Sequence, residues 1–240
     1  MKLQLLTLSN PKTQKGTKYG YLTAILHLAP ANLSGHNVCP KASPQCSALC
    51  LNTAGRGGIF KPGEKTNVIQ ECRIRRTRLF VEHRDEFCRQ LLRDIVAVIV
   101  KAYDLGLKPA IRLNGTSDIE WENVKSIYFS RPGKATEPLN IFDRCPDVQF
   151  YDYTKIPNRK VPTNYHLTFS LSENNTAEAL SEMDRGLNVA VVFHKVPEEY
   201  AGRKVIDGDD SDLRFLDPKG VIVGLKAKGR ARKAKGTFVK

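Results

Sequence analysis

Short apolar runs of strand type are interrupted by segments whose apolar residues recur at helical spacing, and this alternation confines the chain to folds in which helices cross between parallel strands. KLQLLTLS alternates in period two, and YGYLTAILHLA follows the turn-forming NPKTQKG, which predicts a hairpin or a first barrel strand. From residue 66 to 103, Val68, Cys72, Leu79, His83, Phe87, Leu91, Ile95 and Val98 recur near one helix face, and Gly106 ends the run. PAIRLNG, VQFYDY, NYHLTFSLS and NVAVVFH then read as strands, with short helical material in IEWENVKSIYF and a glycine-stopped helix in TAEALSEMDRG. The later strands are spaced too closely for a full eight-fold barrel, and no Gly-rich dinucleotide loop follows an early strand. The expectation is an α/β fold, a compact, incomplete (β/α) barrel, rather than a doubly wound sheet.

Residues 1–225 read as a single α/β domain carrying a cysteine-bearing loop, 30–63, too long for an idle connector. The end, 226–240, has seven Lys or Arg and no acid, and reads as a basic flexible arm. With 41% hydrophobic residues in 240, the chain can bury a substantial core. There is no run of about 20 apolar residues to span a membrane, and MKLQLLTLSNPKTQ lacks the organisation of a signal peptide. A soluble cytoplasmic protein is expected, in which six cysteines point to metal or redox chemistry rather than a disulfide framework. The net charge of +13, from 38 basic against 25 acidic residues, favours polyanions such as nucleic acid and salt-sensitive association.

The chemistry concentrates in NVCPKASPQCSALCLNTAGRGG. Cys39, Cys46 and Cys50 place three thiolates within twelve residues, a soft ligand set for an iron-sulfur cluster or zinc. Three ligands leave a fourth position open, as in a catalytic centre, whereas a structural zinc site would be closed by His36 or Cys72. The alternatives are a [4Fe-4S] cluster, a structural zinc site and three idle thiols. Cys72, Cys88 and Cys145 read as core thiols. His36 and His83 read as structural side chains, and His166 and His194 as pocket residues. The glycines of NTAGRGG can turn backbone amides toward sulfides or an anion, with Arg56 placed for a carboxylate or phosphate.

Arg73, Arg75, Arg76 and Arg78 crowd two helical turns, either to grip phosphate or as a solvated basic face. Arg112, Asn114, Gly115, Thr116, Ser117 and Asp118 end one strand, where parallel α/β folds place ligands. The same position on later strands holds Tyr151, Asp152 and Tyr153, then Ser170, Ser172, Glu173 and Asn174, then His194 and Lys195. The acidic IDGDDSD lacks the twelve-residue pattern of a calcium loop and reads as a substrate-contact or structural turn.

The cysteine loop with NTAGRG, the helix with RTRLF, the strand RLNGTSD and the ending IDGDDSDLRFLDPKGVIVGLKAKG together resemble a bacteriophage family, gene product eighty-eight, over nearly the whole chain. That likeness implies a phage protein acting in the infected host cell. A more distant similarity is to radical S-adenosylmethionine (SAM) enzymes, which hold a [4Fe-4S] cluster by three cysteines after the first barrel strand. The spacing departs from theirs, with six and three intervening residues instead of three and two. The likeness implies Cys39, Cys46 and Cys50 as cluster ligands, SAM as a cofactor, and Asn114, Ser117, Asp118 and Ser170 lining its pocket. Two readings follow: an iron-sulfur enzyme of radical-SAM type acting on a small molecule, or a non-catalytic nucleic-acid-binding protein that uses its basic tail and Arg-rich helix around a structural zinc or cluster.

Overall fold

In chain order the elements are β1 (Leu6–Thr7), β2 (Tyr21–Leu26), α1 (Pro44–Ala48), α2 (Val68–Glu82), α3 (Arg84–Asp104), β3 (Lys108–Arg112), α4 (Ile141–Arg144), β4 (Gln149–Thr154), β5 (Tyr165–Ser170), α5 (Thr176–Asp184), β6 (Val189–Phe193), β7 (Glu199–Tyr200), β8 (Arg203–Asp207) and β9 (Ile222–Lys226). The structure is a computed structural model that describes residues 4–8, 15–130 and 137–240. Most of the predicted NPKTQKG turn lies outside the described residues.

One sheet takes the order β1-β2-β3-β4-β5-β6-β9-β8-β7. Every pairing from β2 to β8 is parallel, and only the edge strands β1 and β7 run antiparallel. The α/β class and the mostly parallel sheet are as the alternation predicts. From β2 to β6 the strands advance one way in chain order, without the reversal that defines a doubly wound sheet. The sheet is not closed, since β1 and β7 are its two edges. β7, β8 and β9 are not among the predicted strands: β7 has two residues, and β8 carries exposed Arg203 and Lys204 in place of an apolar run.

The predicted helix 66–103 is two helices. His83, at φ −133 and ψ 57, leaves helical geometry and separates α2 from α3. Helix α3 buries Phe87, Leu91, Ile95, Val98 and Ala102 at three- and four-residue steps, with Cys88 beside Phe87, and Gly106, at φ 65, supplies the left-handed residue after its end. Val68 falls off the predicted buried face and is 78% exposed at the first turn of α2.

The pleat sends alternate side chains to opposite faces. Leu22, Ala24, Ile111 and Phe150 enter the main core with Phe87, Leu91 and Trp121 on the helical side. Ala110 and Tyr151 enter a separate small core with Leu213, Tyr21 and Phe215. This second face is therefore covered by the crossover between β8 and β9, which carries the acidic IDGDDSD. Phe215 packs edge-on against Tyr21 and Tyr151 at 5.1 and 5.6 Å. Arg214 is fully buried there, and Asp212 accepts from Arg112 Nη1 at 3.3 Å.

Candidate functional site

The strands from β3 onward deliver polar side chains at their C-terminal ends, and these surround a cavity of about 220 Å³ that all three loop cysteines line. Asn114, Ser117, Asp118, Tyr153, Lys155 and Ser170 also line it. The structure thus brings together Cys39, Cys46, Cys50, Asn114, Ser117, Asp118 and Ser170, whereas His166 and His194, also read as pocket residues, do not line the cavity. A larger cavity of about 480 Å³ lies near the start of β5, beside Thr163 and Asn164, and no cysteine lines it.

The cysteine loop is held from several sides. Cys39 Sγ accepts from the Ala31 amide at 3.4 Å and donates to the Thr116 carbonyl at 3.7 Å. The Asp118 amide donates to the Val38 carbonyl at 2.8 Å. Ser43 caps α1 by accepting from the Cys46 amide at 3.1 Å, with Pro44 at the first helical position. Glu173, after β5, accepts from Ser43 Oγ at 2.6 Å and from the Gln45 amide at 2.9 Å. Arg73 of α2 donates to both the side chain and the carbonyl of Asn52. Glycine is required at 58, because a Cβ there would meet the Thr53 carbonyl oxygen at 2.0 Å.

Burial pushes the Cys39 thiol up to about 12, and burial also raises Cys50. Each keeps its proton until a cation compensates the thiolate, and ligation would release those protons. His36 and Cys72 do not line the cavity. His36 Nε2 faces Glu82 Oε1 at 3.1 Å on the surface, and Cys72 Sγ accepts from Arg75 Nη2 at 3.1 Å. Neither closes a tetrahedron with the loop cysteines. Among the described residues, no group of three or more His, Cys, Asp or Glu side chains is arranged to hold a metal ion. The void itself is several times the ~30 Å³ that one water occupies in the liquid.

Of the predicted pocket residues, Asn114 and Asp118 are largely committed to the protein. Asn114 Oδ1 accepts from Ser117 Oγ at 2.8 Å, the Ile119 amide at 3.0 Å and Trp121 Nε1 at 3.2 Å. These bonds fold the turn after β3. Asp118 accepts from Thr154 Oγ1 and from the Lys155 amide, each at 2.8 Å. Burial raises its pKa, against the pull of those hydrogen bonds and of Arg159. Ser170 Oγ lies 3.0 Å from Lys155 Nζ, which donates to it. Lys155 is a cavity side chain the sequence reading missed; its signal was its place directly after β4, level with the other strand ends.

Under the cavity, Arg112 ion-pairs with Asp152 and Asp212, and its guanidinium lies 4.7 Å from the Tyr153 ring centroid. Asp152 accepts from the Asn114 amide at 2.8 Å and Tyr165 OH at 2.9 Å, yet full burial lifts it to about 7. Tyr151 OH, Tyr153 OH, His166 Nε2 and Thr168 Oγ1 are buried in this region without a hydrogen-bond partner among the described residues. Burial raises both tyrosines and lowers His166.

The stretch 226–240, expected as a flexible arm, packs on the body. Val239 forms a parallel bridge with Val192, the Lys240 amide donates to the Val192 carbonyl at 2.9 Å, and the Phe238 amide donates to Gln45 Oε1 at 3.1 Å. Ala231 and Val239 are buried, and Ala231 and Phe238 line the cavity. These apolar residues, interleaved with the cations, supply anchors that charge counting hides. The Arg-rich helix is largely occupied as well, since Arg76 donates to the Gln4 carbonyl and Arg78 to that of Ser34.

Among the described residues no helix is long and apolar enough to cross a membrane. Comparison with curated proteins and with solved structures gave no match. A family model described as Gene product 88 matches residues 4–240, and the chain belongs to that family.

Proposed function

We propose that the cysteine cavity binds a [4Fe-4S] cluster through Cys39, Cys46 and Cys50. The observation that carries this is that three cysteines of one anchored loop line a single void, with no fourth cysteine or histidine lining it among the described residues. A single zinc ion would leave most of that void empty, which supports the cluster over zinc as the group held here. Such a cluster supplies one-electron chemistry and an open coordination position. The strand order advancing from β2 to β6 supports winding of incomplete-barrel type, with the site at the C-terminal strand ends.

The chain's own residues then have defined parts. The loop anchors hold the thiol spacing, Phe238 and Ala231 cover one side against water, and Lys155 and Ser170 present a donor and a hydroxyl to whatever occupies the remaining space. At about 220 Å³ the cavity is smaller than the ~300–1,000 Å³ of pockets that take drug-sized ligands. A ligand as large as SAM therefore requires the arm to move aside. With the arm displaced, a radical-SAM-like enzyme acting on a small molecule is the activity this reading points to.

The test is anaerobic purification with iron, sulfide and zinc analysis, and a paramagnetic resonance spectrum after dithionite, on wild type and Cys46→Ala. About four irons and four sulfides per chain, lost in the variant, are expected. Stoichiometric zinc without iron would overturn the cluster. For a loaded protein, absence of both SAM binding and SAM cleavage would remove the enzymatic part.

A further inference from the structure

The arm that walls the cavity carries cations the fold does not use. Arg230, Arg232, Lys233 and Lys235 are exposed, and none forms an ion pair with an acid among the described residues. The nearby Lys228 differs, being paired with Asp209 at 2.5 Å. The four cations fall within six positions of a segment fixed at both ends, by Gly229 packed against Thr53 and Ala54 and by the Val239 bridge to β6, with Ala231 in the cavity wall between them. They are therefore held together in place rather than dispersed on a random tail.

Beside the arm is exposed apolar surface. Gly229 sits against residues 53 and 54, where an added Cβ would lie 3.2 Å from the Ala54 Cα. The loop through that contact exposes Leu51 at 46% and Ile59 at 69%, and the side chain of Arg56 is exposed between them. Leu51 also lines the cavity. A row of cations next to exposed apolar side chains suits a partner with regularly spaced phosphates and flat apolar groups. A duplex hides the flat groups of its bases inside the stack, so the unpaired strand is the better match.

We propose that single-stranded nucleic acid lies along residues 229–238, its phosphates paired with Arg230, Arg232, Lys233 and Lys235 and its bases against Leu51 and Ile59, so that one nucleotide is presented at the cysteine cavity. Presentation to a reactive centre rests on the cluster reading above; the binding to the arm does not.

The test is fluorescence anisotropy of the full chain with a short labelled single-stranded oligonucleotide across a salt series. It is run on wild type, on the quadruple variant Arg230→Ala, Arg232→Ala, Lys233→Ala, Lys235→Ala, and on a control with the same charge loss elsewhere, Arg75→Ala, Lys101→Ala, Arg203→Ala, Lys204→Ala. All eight side chains are exposed, and thermal melts confirm that both variants fold. The arm variant is expected to bind about tenfold or more weakly at low salt, with a salt slope shallower by up to about 3, from ~0.7 per lost phosphate contact; the control is expected to stay close to wild type. Equal weakening in both variants, no binding by wild type, or equal affinity for inorganic polyphosphate and for duplex of matched charge would each overturn the proposal. Photocrosslinking of a thiouridine-containing strand is expected to label residues 51–60 and 229–238, and labelling confined to other surfaces would count against it. Because Cys46→Ala is assayed alongside, oligonucleotide binding that survives without iron separates failure of the cluster reading from failure of this one.

Discussion

Glu173 and Ser43 are 130 residues apart in sequence, yet the Ser43 hydroxyl donates to the Glu173 carboxylate at 2.6 Å. This contact fastens the end of β5 to the cap of the helix that carries Cys46. Burial alone would raise the Glu173 carboxyl, but the hydrogen bonds from Ser43 and Gln45 outweigh it and hold it below its ordinary value. Glu173→Ala is expected to cost about 1 kcal/mol of stability. Its larger effect is local: hydrogen exchange across residues 43–50 should speed up. Unchanged exchange in that segment would falsify the anchoring role.

Asn114→Ala tests whether this side chain is structural. The substitution leaves Ser117 Oγ, the Ile119 amide and Trp121 Nε1 without their shared acceptor in a buried turn. A loss of about 3 kcal/mol is expected, a fall in Tm on the order of 6–12 °C for a chain of this size. A variant melting with wild type would show that the turn does not depend on Asn114.

Asp152 gives stability a pH dependence of definite sign. Its folded value, about 7, lies above its unfolded value, so its protonated form is favoured by the folded state. The stability it contributes is full below about pH 4 and is lost as pH rises through about 7. Urea unfolding of wild type and Asp152→Asn at several pH values should show this loss in wild type and a flatter profile in the variant. The opposite slope difference would mean that Arg112 and the surrounding donors dominate over burial.

The two neighbouring arginines of α2 should separate cleanly. Arg73 holds buried Asn52 beside the cysteine loop, whereas Arg75 is exposed and reaches only the Cys72 sulfur. Arg73→Ala is expected to destabilise by about 1–2 kcal/mol and Arg75→Ala to stay within about 0.5 kcal/mol of wild type by chemical denaturation. Equal effects would reject this division.

Phe238 is the apolar cover on one side of the cysteines. In metal-free protein, Phe238→Ala should accelerate labelling of Cys39, Cys46 and Cys50 by a thiol reagent several-fold and leave buried Cys88 unaffected. Mass spectrometry of the labelled peptides distinguishes local opening from global loosening, in which Cys88 reacts too.

The parts of the fold that could be read in advance were those with a strong periodic signal. Strands β2 to β6 are apolar runs between turn residues, and the cysteine loop stands out by residue type alone. The break at His83 was hidden because apolar spacing continues through it, while the change is one residue's backbone angles. Strand β8 was missed because it is half exposed and owes its place to pairing with β9, a long-range contact that no local pattern shows, whereas β9 lies in an apolar run, VIVGL, whose signal was legible. The three cysteines and the predicted Asn114, Ser117, Asp118 and Ser170 line the cavity while His166 and His194 do not, and the role of Asn114 was invisible, since hydrogen bonds to Ser117, Ile119 and Trp121 depend on how the turn closes. The arm misled for a different reason: its charge was legible, but the burial of Ala231 and Val239 depends on the edges they meet.

The wall formed by Ala231 and Phe238 also has a meaning in time. A ribosome completes the cysteine loop long before it reaches the residues that cover it, and Cys50 and Val239 are 189 positions apart. At synthesis rates of about 5–20 residues per second, that separation corresponds to roughly 10–40 seconds. During that interval the nascent thiols are accessible from the side the arm will later occupy. On the proposed cluster reading, iron and sulfide would reach the thiols more readily before residues 231–239 have packed, and a folded chain left empty would first have to release that wall to be loaded.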